Sequence, residues 1–287
     1  MIKDLIKKIL NWLGFCVQKL SPVEIKLHHA KLVKNSNVND LACIDIYDDQ
    51  KYFYFRKSSV GDRGVIKQIF IDLDYSLAFC PQGKCLLDFY RDRGAVEKLL
   101  IIDGGANIGA SAIYFKRQYP LATVFSIEPN KGNYELLRLN ISGYSDCTSS
   151  LAGLSNSEDY LILEDPGHSD WGFRTRVVNG DSIPEGAIPA ISSKSIMDKI
   201  AVNGYTPFIL KIDIEGAESD FFSNDCSLLQ LFPLIVIELH DWMLPFSGSS
   251  HNFLKSLAAG GFDFVHKGEN IFLFNHAFLS SYFKRSI

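Results

Sequence analysis

Residues 99–109, LLIIDGGANIG, run four apolar residues into an acid and then into a bend that holds three glycines within six positions. An apolar run bounded by such a bend reads as a strand covered on both faces, the pattern of a parallel sheet. The residues that follow, ASAIYFKRQY (110–119), have helical character, so the unit is strand, glycine turn, helix. Gly104, Gly105 and Gly109 let the backbone turn sharply and approach a ligand closely, and the N–H groups that open the helix favour an anionic group.

Outward from this unit the same texture repeats. Strand ATVFSIE (122–128), helix NKGNYELLRLN (130–140) and a strand near CTSSLAGL (147–154) come next. Residues 155–191 are polar, with EDPGHSDWGF (164–173) at their centre, and read as a loop or insertion around one short strand, YLIL (160–163). Alternation resumes with helix SKSIMDKI (193–200), strand FILKIDIE (208–215), helix AESDFF (217–222), strand LIVIELH (234–240) and helix NFLKSLAAG (252–260). Strands alternating with helices predict an α/β fold whose parallel sheet is joined by right-handed crossovers. FDFVHKGENIFLF (262–274) reads as two strands about a tight polar turn, so the last strand runs antiparallel to its neighbour.

The first 95 residues differ in texture and are expected to form an N-terminal α/β elaboration, with residues 96–287 as the main domain. KYFYFR (51–56) and VIKQIFIDL (65–73) read as strands separated by the turn residues KSSVGDRG (57–64). CPQGKC (80–85) reads as a turn with two incidental cysteines, since it lacks a second ligand pair. The opening MIKDLIKKILNWLGFCVQKL places Leu5, Ile6, Ile9, Leu10, Leu13 and Val17 on one face of an amphipathic helix. Lys7 and Lys8 interrupt its apolar run and no small-residue cleavage site follows, which argues against a membrane span or a cleaved signal. Such a helix packs on its own protein or touches the inner face of an anionic membrane.

With 47% hydrophobic and 22% charged residues among 287, the chain has the composition of a folded globular protein. A net charge of -4 supplies no basic field for a phosphate backbone, so nucleic acid is not the expected partner. Six scattered cysteines in a chain of this length fit free thiols in a reducing, cytoplasmic compartment.

In open α/β sheets ligands sit beyond the carboxyl ends of the strands, where strand order reverses. Asp103, Glu128 and Asp213 each end an apolar run, and LIVIELHD ends in Glu238, His240 and Asp241. Glu128 follows Asp103 at about the spacing at which a second-strand acid accepts the two hydroxyls of a ribose, which implies a nucleoside-bearing cofactor. GGANIG is not the dehydrogenase fingerprint GxGxxG, and the Lys-Ser/Thr ending of a phosphate loop is absent.

IDGGANIGASAIYF, FSIEPN, LKIDIEGAE and IVIELHDWMLP together closely resemble the FkbM-type family of S-adenosylmethionine-dependent methyltransferases. The resemblance runs from about Leu99 to the C-terminus. It implies a Rossmann-like class I methyltransferase fold with a seven-stranded sheet, and methyl transfer to a hydroxyl of a sugar, glycoconjugate precursor or similar small metabolite. By the same resemblance Asp103, Gly104, Gly105, Ala106, Asn107 and Gly109 would hold the methionine part of S-adenosylmethionine and Glu128 its ribose. Asn130 and residues 151–153 would lie near the ribose and adenine, and Asp213 would face the transferring methyl, with Glu215 and Glu218 close by.

Glu238 and His240 share a face at a strand end, and an imidazole with an ordinary pKa near 6.5 accepts a proton at neutral pH, which makes His240 the first-choice base. His168 is an alternative base from the loop, and Trp171 would offer a sugar an apolar face. Asp213, Glu238 and His240 or Asp241 are also admissible ligands for magnesium or manganese. The rival readings are a nicotinamide-dependent oxidoreductase on the same sheet and a catalytically inactive cofactor-binding scaffold.

Overall fold

The computed structural model describes residues 27–28, 40–47, 49, 51–164, 174–178, 183–224, 227–258 and 260–286. The expected N-terminal helix, His168 and Trp171 lie outside the described residues. In chain order the strands are β1 (Leu27–His28), β2 (Leu41–Asp45), β3 (Tyr52–Arg56), β4 (Lys98–Gly104), β5 (Thr123–Glu128), β6 (Cys147–Leu151) and β7 (Gly153–Leu154). They continue with β8 (Tyr160–Glu164), β9 (Arg174–Val177), β10 (Ile188–Ile191), β11 (Tyr205–Ile212), β12 (Leu234–Glu238), β13 (Phe262–Lys267) and β14 (Asn270–Asn275). The α-helices are α1 (Val60–Ile66), α2 (Pro81–Gly94), α3 (Ala110–Gln118), α4 (Lys131–Ile141), α5 (Ser193–Asn203), α6 (Glu218–Phe221), α7 (His251–Leu257) and α8 (His276–Ser286).

Seven strands form the main sheet in the order β13-β14-β12-β11-β4-β5-β6. Every pairing from β12 to β6 is parallel, and β14 is antiparallel to both of its neighbours. The chain moves outward from β4 to β5 and β6, then returns to the other side of β4 with β11. Strand order therefore reverses between β4 and β11, which is where a ligand crevice belongs.

Alternate residues of β4 serve opposite cores. Leu99 and Ile101 join one hydrophobic cluster and Leu100 and Ile102 the other, and all four are fully buried. The first cluster also takes in Ala42, Ile44, Phe53, Phe55, Ile66 and Ile69, so the N-terminal segments pack on the sheet through the same core as α3 and α4. Phe208 shows how: its ring lies 6.0 Å from Phe89, 5.7 Å from Tyr90 and 4.9 Å from Tyr119. Phe89 in turn meets Phe278 and Tyr282 of α8, so α2 and α8 pack together over this face.

Three local expectations are corrected. Residues 155–191, expected as a loop around one short strand, carry β8, β9 and β10, which join β7 in a four-stranded sheet of order β7-β10-β8-β9. VIKQIFIDL is helical: α1 runs through Ile66 into a π-helical turn over Lys67–Ile71. Its β-branched composition suggests a strand, but Ile66, Ile69 and Phe70 are buried at helical spacing, and the Ser59 hydroxyl caps α1 by accepting the Asp62 N–H. CPQGKC is the start of α2, with Pro81 in the first turn where its missing N–H costs nothing. Among the described residues no helix is long and apolar enough to cross a membrane.

The glycine bend has a structural reason of its own. Gly105 has φ +73°, and a Cβ there would stand 1.7 Å from the Asp213 carbonyl oxygen. Gly109 has φ +92°, and its Cβ would meet Leu137 at 2.9 Å. Neighbouring backbone and core therefore forbid bulk at these positions independently of any ligand. Gly105→Ala is expected to cost at least about 3 kcal/mol, read by urea denaturation, because it combines strain at positive φ with a backbone collision; a loss under about 1 kcal/mol shows that the bend has room.

Candidate active site

Lys211 organises the tips of β4 and β11. It interrupts an otherwise apolar strand, is buried, and directs its Nζ to the carbonyl oxygens of Gly105 at 2.7 Å and Gly104 at 3.2 Å. The same ammonium lies 3.4 Å from Asp103 Oδ1 and 3.5 Å from Asp213 Oδ2. Burial opposes its charge, but Tyr75, Asp213 and Asp103 outweigh that and hold its pKa above the usual lysine range. Asp103 also accepts a 2.7 Å hydrogen bond from the Ser111 hydroxyl of α3. Asp103 thus faces inward, and neither it nor Ala106 lines the crevice beside the bend.

That crevice is lined by Gly105, Asn107, Glu128, Asn133, Asp213 and Glu215, with Ala152 and Gly153 among its other walls. Glu128 is buried; Oε2 accepts the Asn107 N–H at 2.8 Å and Oε1 accepts the Asn130 N–H at 2.9 Å. The Asn133 side chain also hydrogen-bonds this carboxylate. Burial pushes the Glu128 carboxyl up to about 7, against the pull of those N–H donors. Asn107 sits at φ 49°, and its Oδ1 is buried without a hydrogen-bond partner among the described residues. Asn130 follows Glu128 in the turn that leads into α4. Its side chain caps α4 by accepting the Asn133 N–H at 3.0 Å, and its backbone anchors Glu128.

The second group centres on His240, which is buried. Its Nδ1 lies 2.7 Å from Glu218 Oε1, a carboxylate with no solvent exposure. Its Nε2 faces Glu215 at 3.5 Å, Glu238 at 3.6 Å and Asp213 at 3.7 Å. Burial works against charge on the ring, but the Glu218 hydrogen bond and then the Asp213 charge push His240 up to about 9. His240 is therefore not a free imidazole of ordinary pKa, because one side chain faces four acids. Burial, then Asp213, raises Glu215 to about 7 and Glu238 to about 8. Asp213, Glu238 and His240 offer ligand atoms all within 4.8 Å of one another. Asp241 stands apart from this group, with its Oδ1 3.4 Å from the Ser250 N–H.

Lys211 and Tyr75 are the members that reading the sequence missed. The signal for Lys211 was a single cation within FILKI, where a strand buried on both faces should carry none. Tyr75 left no local signal. It comes from the N-terminal third, packs its ring on Phe115 at 5.2 Å and Tyr114 at 5.9 Å, and its phenol feels Lys211, Asp213, Asp103 and Glu238.

Residues 103–264, more than half of the chain, match the Methyltransferase FkbM domain. The chain belongs to the FkbM methyltransferase family. Methyltransferase 1 of Beauveria bassiana (strain ARSEF 2860) is 24% identical over 217 residues, 69% of this chain and 81% of that protein. Methyltransferase sdnD of Sordaria araneosa is 28% identical over 123 residues, 42% of this chain and 41% of its own length. Among solved structures, human Methyltransferase-like protein 13 in complex with SAH is similar over 68% of this chain and 78% of that chain, at 13% identity and a TM-score of 0.37. In this FkbM methyltransferase the matched region begins at Asp103 and contains Glu128, Lys211, Asp213, Glu238 and His240.

Removing Lys211 leaves buried carboxylates without their cation. Lys211→Met is expected to destabilise the fold by about 3 to 5 kcal/mol in chemical denaturation. A variant as stable as the parent would mean that Asp103 and Asp213 do not depend on this ammonium.

Proposed function

We propose that this methyltransferase uses S-adenosylmethionine to methylate a hydroxyl of a sugar, a glycoconjugate precursor or a similar small hydroxylated metabolite. The observation that carries the reading is one crevice that reaches both the buried Glu128 carboxylate and the acids Asp213 and Glu215. β5 and β11 flank β4, so their tips stand about 10 Å apart, the span from a ribose to the far end of the cofactor. The residues present fit that molecule. Glu128 is a buried acceptor on the crevice wall suited to a ribose hydroxyl, and Asn107 lines the same crevice with an Oδ1 that has no partner among the described residues and that an ammonium or hydroxyl would complete.

When bound, S-adenosylmethionine supplies an electrophilic methyl carbon on a sulfonium. Everything else falls to the chain. Glu128 and Asn107 fix the nucleoside, and the bend held by Lys211 sets its depth; alignment of this kind is worth about 7 to 11 kcal/mol. The carboxylates around His240 would take up the proton that the acceptor hydroxyl gives up. A proton acceptor contributes less, about 10²- to 10⁴-fold.

A specific observation favours a divalent cation in the same group. Glu218 fixes Nδ1, so Nε2 and three carboxylates turn toward one point, the arrangement of a histidine oriented as a metal ligand. Asp213, Glu238 and His240 would hold magnesium or manganese, with Glu215 beside them, and the ion would acidify a bound hydroxyl. Manganese added to the protein alone is expected to lose its free-ion spin-resonance signal, and Glu238→Gln to restore most of it. An undiminished signal at millimolar protein rules the ion out.

Calorimetry with S-adenosylhomocysteine tests the cofactor. Binding is expected, and Glu128→Gln should weaken it about tenfold or more, since charge-assisted hydrogen bonds contribute about 1.5 to 3 kcal/mol each. Because the ribose hydroxyls select the ionised carboxylate, affinity should rise as pH climbs through about 7, and the Gln variant should be flat over that range. No binding, with binding of NAD in its place, would favour the oxidoreductase. Binding without methylation of any glycan or nucleotide sugar would favour the inactive scaffold.

A further inference from the structure

We infer that the cleft between Trp242 and the tip of the β13–β14 hairpin is the acceptor subsite, and that it receives the face of an uncharged polyhydroxylated ring in preference to a phosphorylated one. The inference rests on the methyl-transfer reading and concerns a cavity separate from the nucleoside crevice. The cleft is lined by Glu238, Leu239, Trp242, His266, Glu269 and Ile271. Glu238 belongs both to this wall and to the group around His240, so a molecule in the cleft reaches the proton-accepting carboxylates.

Three features define what fits. Trp242 leaves 65% of its surface open at the cleft, an unusual exposure for the largest aromatic residue and one that offers a flat apolar face to the C–H side of a ring. Glu238 and Glu269 both line the cleft and interact electrostatically, which gives hydroxyl donors two acceptors. Leu239 and Ile271 complete the wall with apolar surface on which the C–H side of a ring can rest.

The charge is as informative as the shape. The wall holds two carboxylates, and Asp213 and Glu215 stand beyond Glu238. The nearby Lys267 is committed elsewhere: its Nζ donates to the Leu73 carbonyl at 2.5 Å and lies 3.3 Å from that of Ser76. A phosphate placed here meets the exposed Glu269 carboxylate, whereas a neutral ring meets oxygen acceptors matched to its hydroxyls.

Saturation-transfer NMR on the full chain loaded with S-adenosylhomocysteine tests this. The probes are the methyl pyranosides of glucose, galactose and mannose and the corresponding sugar 1-phosphates. At least one methyl pyranoside should bind through its ring C–H protons, about tenfold more tightly than its 1-phosphate. Trp242→Ala should weaken that binding about tenfold, and Trp242→Phe should stay within about threefold of the parent. Glu269→Gln, an exposed change that leaves the fold intact, should narrow the gap between the neutral sugar and its phosphate. The inference is overturned if no pyranoside binds the loaded chain, if the phosphates bind better, or if Trp242→Ala binds as the parent does. Failure of S-adenosylhomocysteine to bind counts against the methyl-transfer reading alone; the pyranosides are then tested on the unloaded chain and judged by the same variants.

Discussion

The ammonium of Lys211 is the constraint on which the catalytic end of the sheet depends. A lysine within a strand covered on both faces must find full compensation, since an unpaired buried charge costs several kcal/mol. It finds two carbonyls in the glycine bend and two carboxylates, one on each of the adjoining strand ends. β4 and β11 are thereby joined at their tips by more than the ladder that pairs Lys211 with Asp103. The bend lies so close to Asp213 that a methyl group has no room between them. The glycines therefore serve the protein's own packing first, and the shape they leave is what a cofactor meets.

From this fixed point the charges fall into order. Asp213 leans toward Lys211 through one oxygen and toward His240 through the other. His240 is turned by Glu218 so that its free nitrogen joins three acids. Two buried cations thus hold a larger set of carboxylates, and Glu215 and Glu238 retain protons more readily than ordinary glutamates. Such a group attracts positive charge and hydroxyl protons alike, which suits it to the acceptor side of methyl transfer.

The main sheet was legible because its signals are local: buried strands ending in acids, helices between them, and a closing hairpin whose polar turn is short. The positions that gather at the strand tips were legible for the same reason, since Glu128, Asp213, Glu238 and His240 all end apolar runs. What could not be read depends on distant partners. Residues 65–73 look like a strand by composition, yet Ser59 and a buried face at helical spacing make them a helix. Asp241 is as plausible a ligand as Glu238 in the sequence, but the turn after β12 carries it toward Ser250. The proton affinity of His240 depends on Glu218, 22 positions away, and follows from no local pattern.

The strap that Lys267 makes to Leu73 and Ser76 joins residues 194 and 191 positions apart. A ribosome delivers the chain from its N-terminus, so β4, β5 and the glycine bend emerge long before the hairpin that carries Lys267. The strap and the cleft beside Trp242 share that hairpin, since Lys267 is held by Leu73 and Ser76 while Glu269, two residues on, lines the cleft.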